Sequence, residues 1–258
     1  MPQACLRAYQ PDLMLEALTI VIPVYNEAEN FPALWQELSF KIKSDFQAIV
    51  VYDSEEDNTI PVVLSILKGN EKRLRLIKNN VRKGVVGALL TGIAQVQRGP
   101  VLVVMADLSD DLGRVDEMLQ RYHSGVDIVA GSRYMAGGRY LGGRFLKRVL
   151  SRWAGLSLFW LRHLPTHDAP NAFKIYDREM LSGLNIASRN GFEINLEITV
   201  KAFLAGYRIT EVPVTYRDRT AGESHFKLWA WLPAYLKWYL YAFRPRHERR
   251  ARFLRQSA

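Results

Sequence analysis

Apolar and polar positions along the first half of the chain follow two alternating patterns. Short runs of apolar, mostly β-branched residues are separated by longer stretches with the three-to-four-residue spacing of helices. The predicted strands are Leu18–Val24, Ala48–Tyr52, Leu74–Ile77, Val101–Met105 and Val126–Ala130, and the predicted helices are Glu29–Phe40, Thr59–Lys68, Val85–Gln97 and Val115–Tyr122. This alternation predicts an α/β fold, with a mostly parallel, Rossmann-like sheet and helices on both faces.

The pattern changes after Ala130. The segment Gly131–Gly143 contains five glycines, which favours a mobile loop. A basic amphipathic helix is predicted to follow it, over Arg144–Leu164. The remaining predictions are a strand at Ala172–Tyr176, a helix at Glu193–Ala205, a strand at Arg208–Val214 and a basic loop at Arg217–His225.

The C-terminal part is first aromatic and then strongly basic. Residues Phe226–Phe243 include eight aromatic side chains, and residues 244–258 hold six arginines against one acid, Glu248. Tryptophan and tyrosine favour the membrane–water interface, and arginines are attracted to anionic lipid. We therefore predict a domain at 1–225, followed at 226–258 by an amphipathic aromatic helix and tail that lie on an anionic membrane surface. The alternative is a helix packed on the sheet, with its aromatic side chains in the core.

Composition and charge limit the classes of protein to which this chain can belong. The chain has 258 residues, 48% hydrophobic and 24% charged, which excludes disorder, and its single cysteine excludes a disulfide scaffold. The longest uncharged piece of the aromatic segment, Leu228–Leu236, has nine residues, whereas a membrane span needs about 20. The net charge of +9 favours an anionic partner. Nucleic acid is not expected, because no base-stacking motif or groove-reading helix accompanies the arginines.

Acidic clusters follow three of the predicted strands. They are Tyr25-Asn26-Glu27, the run from Asp53 to Asp57 and the run from Asp107 to Asp111. Ligands of open parallel sheets bind beyond the carboxyl ends of the strands, so these clusters are expected to meet at one edge. A divalent cation with bound phosphates would compensate their mutual repulsion. The alternative is that Asp57 and Asp107 only cap the following helices.

A set of motifs in this order resembles family 2 glycosyltransferases. The motifs are IVIPVYNEAENF, VVYDSEEDNT, RKGVVGALLTG, VVMADLSDD, AGSRY, DAPNAFKIYDRE and YRDRTAGESHFK, which together span about residues 18–228. Within that family the chain is similar to the polyprenyl-phosphate sugar synthases. The resemblance implies a GT-A fold, a Mg²⁺ or Mn²⁺ cofactor and inverting transfer of a hexose, mannose or glucose, from a nucleoside diphosphate sugar to a polyprenyl phosphate of the dolichyl or undecaprenyl type.

The resemblance also implies roles for individual residues. The donor would be bound by Pro23, Tyr25, Asn26, Glu27, Asp53, Lys83 and Asp107, and the metal by Asp107, Ser109 and Asp110. The acceptor phosphate would be bound by Arg133, Arg148, Asp168, Lys174, Arg219 and Lys227. Catalysis would depend on Asp107, Arg133 and Arg219.

Four positions depart from the family pattern. Tyr52 and Met105 each stand where the family usually has an aspartate. Lys174 replaces a usual arginine, and His225 stands where a lysine is usual, with Lys227 two residues further on. Because a thioether is a poor ligand for Mg²⁺ or Mn²⁺, the metal would depend on Asp107, its neighbours and the diphosphate, or metal dependence would be weaker.

The chemistry of the acceptor decides whether a general base is needed. A phosphate monoester has a second pKa of about 6 and is already ionised at neutral pH, so attack needs alignment and charge screening. A sugar hydroxyl would need a carboxylate base, for which Asp110 or Asp168 is available.

Three alternatives to a lipid-phosphate glycosyltransferase remain open from the sequence. They are a family 2 enzyme with a sugar-hydroxyl acceptor, a non-catalytic membrane- or partner-binding relative, and a nucleotidyltransferase. The preferred interpretation places the protein in the cytoplasm, peripherally on the cytoplasmic face of the membrane. No residue pattern identifies a membrane-embedded partner subunit.

Overall fold

The computed structural model describes residues 16–142, 145–189, 191–218 and 228–246. Its strands are β1 (Leu18–Pro23), β2 (Phe46–Tyr52), β3 (Leu74–Lys78), β4 (Pro100–Val103), β5 (Ile128–Ser132), β6 (Arg139–Leu141), β7 (Lys174–Asp177), β8 (Ile209–Pro213) and β9 (Thr215–Arg217). Its helices are α1 (Phe31–Lys41), α2 (Thr59–Lys68), α3 (Val85–Ala94), α4 (Val115–His123), α5 (Phe145–Arg162), α6 (Arg178–Ser182), α7 (Glu193–Leu204) and α8 (Leu228–Tyr241), with a short 3₁₀ turn at Leu112–Arg114.

Seven strands form one mostly parallel sheet, in the order β3-β2-β1-β4-β7-β5-β8. Strand β7 is the exception, because it lies antiparallel between β4 and β5. A second, two-stranded sheet pairs β6 with β9 in parallel. The predicted α/β fold class is therefore confirmed.

Each face of the large sheet is covered by its own helices. Along β1, Ile20 and Ile22 point to a core shared with α1, α2 and α4, whereas Val21 points to a core shared with α3, α6, α7 and α8. All three side chains are fully buried. This burial on both faces explains why the strands read as continuous apolar runs rather than as alternating ones.

The prediction of a loop over Gly131–Gly143 was wrong at two places, although residues 133–138 have no regular structure. Strand β5 continues to Ser132, and β6 forms between the glycines by pairing with β9. A three-residue strand is too short to produce a periodic pattern, so its partner strand and the contact between their tyrosines determine it. Tyr140 of β6 lies 4.6 Å from Tyr216 of β9, measured between ring centroids.

Helix α8 has features of both predictions for the aromatic segment, namely a helix that lies on a membrane surface and a helix that packs on the sheet. Trp238 is buried against α7, with its ring 4.7 Å from Nζ of Lys201, whereas Leu236 and Leu240 of the same helix are more than half exposed. The helix is therefore both packed on the domain and amphipathic. Among the described residues, no helix combines the length and the apolar character needed to cross a bilayer.

Helix α5 approaches the loop before β7 at Gly155. A Cβ atom added there would lie 2.0 Å from the carbonyl oxygen of His167 and 3.3 Å from Cα of Asp168. Only a glycine lets the helix contact this backbone, so the residue sets the position of α5 against the sheet.

We expect Gly155→Ala to destabilise the protein by about 1–3 kcal/mol, because overpacking outweighs the gain in helix propensity. The measurement is urea-induced unfolding followed by circular dichroism. Gly113→Ala is the matched control, since its Cβ would meet only Oδ1 of Asp111, at 3.6 Å. Equal stability of the two variants would contradict the close approach of α5.

Candidate functional site

A cavity of about 800 Å³ opens beyond the carboxyl ends of β1, β2, β4 and β5. One half is polar and the other is apolar. The polar half is lined by Pro23, Tyr25, Glu27, Asp53, Met105, Asp107, Ser109, Asp110, Arg133 and Tyr216. The acidic clusters of the sequence therefore meet at one edge of the sheet, as predicted.

The loop after β1 is fixed by the start of α2. The buried Asp57 accepts hydrogen bonds from the backbone N–H groups of Asn26, at 3.1 Å, and of Thr59, at 2.8 Å. Asp57 therefore satisfies the first N–H group of α2, although the N-cap residue itself is Asn58. Asn26, predicted to bind the donor, instead accepts a hydrogen bond from the N–H of Asn58 and does not line the cavity. Its φ of 55° turns the chain so that Tyr25 and Glu27 reach the cavity.

Asp53 lines the cavity and also anchors the loop that precedes α3. Its Oδ1 accepts a hydrogen bond from the Asn79 side chain and its Oδ2 accepts one from the N–H of Gly84, both at 2.6 Å. Gly84 has a φ of 97°, a conformation that favours glycine. Lys83, predicted to bind the donor, is exposed and lies outside the cavity lining.

Asp107 occupies the loop that leaves β4. It is 8% exposed, lines the cavity and accepts a hydrogen bond from the N–H of Ser109 at 3.2 Å, so it does not cap a helix. Asp110 accepts a hydrogen bond from the N–H of Met105 at 2.9 Å. Burial, reinforced by the charge of Asp107, raises the pKa of Asp110 to about 7.

The loop that leaves β4 offers only a few oxygen atoms as metal ligands. Met105 places a thioether in the cavity where the family pattern has a carboxylate. Within the described ranges, no group of three or more His, Cys, Asp or Glu side chains is arranged to hold a metal ion. Since Mg²⁺ and Mn²⁺ prefer oxygen, a metal beside Asp107 would need oxygens from a bound ligand as well.

Arg133 and Asp168 form a buried ion pair. Nε and Nη2 of Arg133 donate to the two carboxylate oxygens at 2.6 and 2.8 Å, and Nη2 also donates to Oγ of Ser151 at 3.0 Å. Burial acts to lower the pKa of Arg133, but the attraction of Asp168 outweighs it, so the pKa is raised. Asp168, predicted at the acceptor phosphate, is fully buried and does not line the cavity. It acts on the cavity through Arg133.

Three tyrosines surround the guanidinium group of Arg133. Tyr134, Tyr140 and Tyr216 have ring centroids 5.1, 5.2 and 5.5 Å from its Cζ. We call these three side chains the tyrosine layer. Burial raises the pKa of each hydroxyl, so the rings stay neutral and can stabilise the cation. Sequence reasoning missed this layer, although the arginine–tyrosine pairs in GSRY and GGRY are a signal that could have indicated it.

Two further basic residues predicted at the acceptor phosphate lie elsewhere. Lys174 is fully buried and donates hydrogen bonds to the carbonyl oxygens of Ala169 and Asn171, and burial lowers its pKa to about 7. It holds the loop before β7 and does not line the cavity. Arg148 lines a different, smaller cavity. Arg219 and Lys227 lie outside the described residues.

The apolar half of the cavity, which sequence reasoning did not foresee, lies between α5, α7 and α8. Its lining includes Leu150, Trp153, Ala154, Ser157, Phe192, Leu196, Leu232, Tyr235, Leu236 and Tyr239. The Tyr239 hydroxyl donates to Oγ of Ser157 at 3.0 Å and so joins α8 to α5. At the end of α5, Arg162 donates to the carbonyl oxygens of Ala242 and Arg244 at 2.8 and 2.9 Å. The two helices therefore form one wall.

We expect Asp168→Ala to lower the free energy of unfolding by about 3–5 kcal/mol, because it leaves the Arg133 charge buried without its partner. Urea titration gives the free energy of unfolding. The value for Asp168→Asn should lie between those of Asp168→Ala and the unaltered protein, because the amide keeps one hydrogen-bond acceptor. Glu55→Ala breaks the exposed Lys78–Glu55 pair, whose N···O distance is 2.8 Å, and should not change the unfolding midpoint. A small loss of unfolding free energy in Asp168→Ala would contradict a buried ion pair between Arg133 and Asp168.

Comparisons with known proteins identify the family and agree with the fold. Residues 19–184 match the family described as Glycosyl transferase family 2. The polyprenol monophosphomannose synthase of Mycolicibacterium smegmatis is 28% identical over 210 residues, covering 80% of this chain and 79% of that protein. The dolichol-phosphate mannosyltransferase of Pyrococcus furiosus is 27% identical over 216 residues, covering 81% of this chain but only 59% of that protein.

Solved structures of a glucosyl-3-phosphoglycerate synthase from Mycobacterium tuberculosis share the fold. The complex of that enzyme with Mn²⁺, UDP and glucosyl-3-phosphoglycerate has a TM-score of 0.65 and 17% identity, over 88% of this chain and 79% of that one. Its complex with Mn²⁺, UDP-glucose and phosphoglyceric acid has a TM-score of 0.68 and 16% identity over the same shares. The GT-A fold implied by the motifs is confirmed. With most of its length matched by the family, this chain belongs to glycosyl transferase family 2 and is a glycosyltransferase.

Proposed function

We propose that the protein transfers a hexose, mannose or glucose, from a nucleoside diphosphate sugar to a polyprenyl phosphate, with inversion at the anomeric carbon. The observation that carries the proposal is the division of one cavity into a carboxylate- and arginine-lined half and an apolar half. A nucleotide sugar suits the first half and an isoprenoid chain suits the second. The names of the mycobacterial and archaeal relatives support the same pair of substrates.

The donor would lie over the ends of β1, β2 and β4. Pro23, Tyr25, Glu27 and Asp53 line that part of the cavity and would hold the nucleoside. Asp107, Ser109 and Asp110 are the oxygen-bearing residues that would hold Mg²⁺ or Mn²⁺, and they suit such a hard cation if the diphosphate completes the ligands. When bound, the metal would neutralise charge on the leaving diphosphate.

The acceptor would present its phosphate to Arg133. One phosphate oxygen attacks the anomeric carbon, the bond from that carbon to the diphosphate oxygen breaks, and the nucleoside diphosphate leaves. The two oxygens of Asp168 are both engaged by Arg133, so Asp168 is not available as a base. None is needed, because the second pKa of a phosphate monoester is about 6. Arg133 would supply alignment and charge screening, and we propose that Arg219, which lies outside the described residues, assists it.

The lipid would enter from a membrane surface on which the enzyme lies. Trp153 and Trp160 of α5 are each 69% exposed, and Leu236, Leu240 and Phe243 of α8 and the turn after it are exposed beside them. We call these five side chains the docking face. Trp153 and Leu236 also line the apolar half of the cavity, so the docking face and the cavity are continuous. This arrangement supports peripheral attachment to the cytoplasmic face of the membrane, strengthened by the basic residues of 226–258.

A panel assay tests donor, acceptor and metal together. The protein is incubated with UDP- and GDP-hexoses and with polyprenyl phosphate, in Mg²⁺, Mn²⁺ or EDTA, and the lipids are analysed by mass spectrometry. We expect a hexosyl phosphoryl lipid from one donor. Transfer only to a water-soluble acceptor such as phosphoglyceric acid, which the mycobacterial synthase binds, would overturn the lipid acceptor. No transfer to any acceptor of the panel would overturn the proposed donor and acceptor.

Replacement of Asp107 tests the donor half of the cavity. We expect Asp107→Asn to lower the transfer rate by about a hundredfold or more. The metal would lose a ligand, and the leaving diphosphate would then lose the charge stabilisation that the metal supplies in the transition state. Asp45→Asn, at an exposed position, is the control. Vesicle binding should be unchanged in both variants. Full activity of Asp107→Asn would contradict the placement of the metal and the diphosphate.

Replacement of the exposed tryptophans tests the docking face. We expect the double variant Trp153→Ser, Trp160→Ser to bind vesicles about tenfold or more weakly, because two large apolar side chains no longer enter the lipid. Co-sedimentation with phosphatidylcholine–phosphatidylglycerol vesicles measures this. Phe40→Ser removes an equally exposed aromatic from α1, on the opposite face of the sheet, and should have no effect. Equal losses in the two proteins would contradict a defined docking face.

A further inference from the structure

A second cavity, of about 390 Å³, lies on the other side of the tyrosine layer. It is lined by Tyr134, Tyr140, Phe145, Arg148, Val149 and Arg152. The rings of Tyr134 and Tyr140, which contact Arg133, also line this cavity, so the tyrosine layer lies between Arg133 and the second cavity. Nothing in the proposed transfer reaction uses it.

The second cavity concentrates positive charge. Arg148 and Arg152 are four residues apart in α5 and therefore share one face of the helix. In the part of the chain that the structure describes, neither guanidinium lies within 4.0 Å of a carboxylate. Two like charges at this spacing repel each other and destabilise a helix. An anion bound between them would remove that repulsion.

The rest of the lining suits an amphiphile better than a small, fully hydrated anion. The Phe145 ring lies 5.6 Å from Cζ of Arg148, and Val149 adds a further apolar side chain. Phe145 is 70% exposed, and Leu146 beside it is also exposed. The apolar side chains thus continue from the cavity onto the surface of the same helix that carries Trp153 of the docking face.

We propose that the second cavity binds the phosphodiester group of an anionic membrane phospholipid. Guanidinium groups bind two oxygens of one phosphate, and Arg148 and Arg152 provide two such groups. The acyl chains would leave along Phe145 and Leu146 into the membrane. The inference rests on the proposed attachment to a membrane, and it adds a specific lipid site, separate from the one at Arg133, that would favour anionic membranes.

The test measures binding of a short-chain, water-soluble phosphatidylglycerol by titration calorimetry. We expect saturable binding at one site per protein chain, lost in the double variants Arg148→Gln, Arg152→Gln and Arg148→Lys, Arg152→Lys, because lysine keeps the charge but not the planar fork. Arg114→Gln, Arg121→Gln, at exposed positions at and in α4 on the opposite face of the sheet, is the matched control and should bind as the unaltered protein does. Thermal unfolding verifies that the variants are folded.

Vesicles provide the second arm of the test. With about a fifth phosphatidylglycerol in phosphatidylcholine, the Arg148→Gln, Arg152→Gln variant should bind about thirtyfold more weakly, the effect of two arginines near an anionic surface. Equal losses in this variant and in the control would overturn the proposal in favour of diffuse attraction. Absence of saturable binding would overturn it too. Equal affinity for inorganic phosphate, or preference for a short isoprenyl phosphate, would overturn the phospholipid as the occupant. Because glycosyl transfer is not measured, failure here and failure of the proposed reaction are distinguishable.

Discussion

The buried pair of Arg133 and Asp168 is the interaction on which the rest of the site depends. It joins the end of β5 to the loop before β7 through two charged hydrogen bonds, and the contact with Ser151 adds α5. The tyrosine layer then connects the same guanidinium to β6 and β9. An unpaired charge at this depth would cost several kcal/mol, so these elements are held together by the requirement to keep both partners satisfied.

This arrangement also restricts the chemistry. Arg133 engages both carboxylate oxygens of Asp168, so Asp168 is not free to contact an acceptor as a general base. Such a site suits a nucleophile that arrives ionised, whereas a hydroxyl acceptor would have to use Asp110, the other candidate base, which lines the cavity. The fold alone does not decide between the two, since the structural neighbours bind phosphoglyceric acid. The apolar half of the cavity is the feature that favours a lipid acceptor.

The sequence predicted the sheet well because its strands are buried on both faces. A continuous apolar run such as the one ending at Val51 clearly indicates a buried strand. Because the strands are parallel, the acidic residues that follow them meet at one edge of the sheet. The short strands β6 and β9 escaped prediction, because three residues are too few to show a periodicity. The position of Lys174 could not be predicted for another reason: a charge in a motif gives no indication of whether it faces a ligand or, as here, two backbone carbonyl groups. Side-chain direction is a tertiary property.

Helix α5 connects the exposed surface of the protein to Arg133. Ser151, which accepts a hydrogen bond from Arg133, and Trp153, which is exposed to solvent and lines the apolar half, are two residues apart, about 3 Å along the helix axis. In the proposed reaction, a lipid phosphate at Arg133 would therefore have its chain close to the protein surface. Gly155 lets this helix contact the backbone of the loop that carries Asp168, so the exposed side chains of α5 and the carboxylate that orients Arg133 lie on adjoining parts of the structure. A membrane on which the protein lies would then present the acceptor phosphate to Arg133.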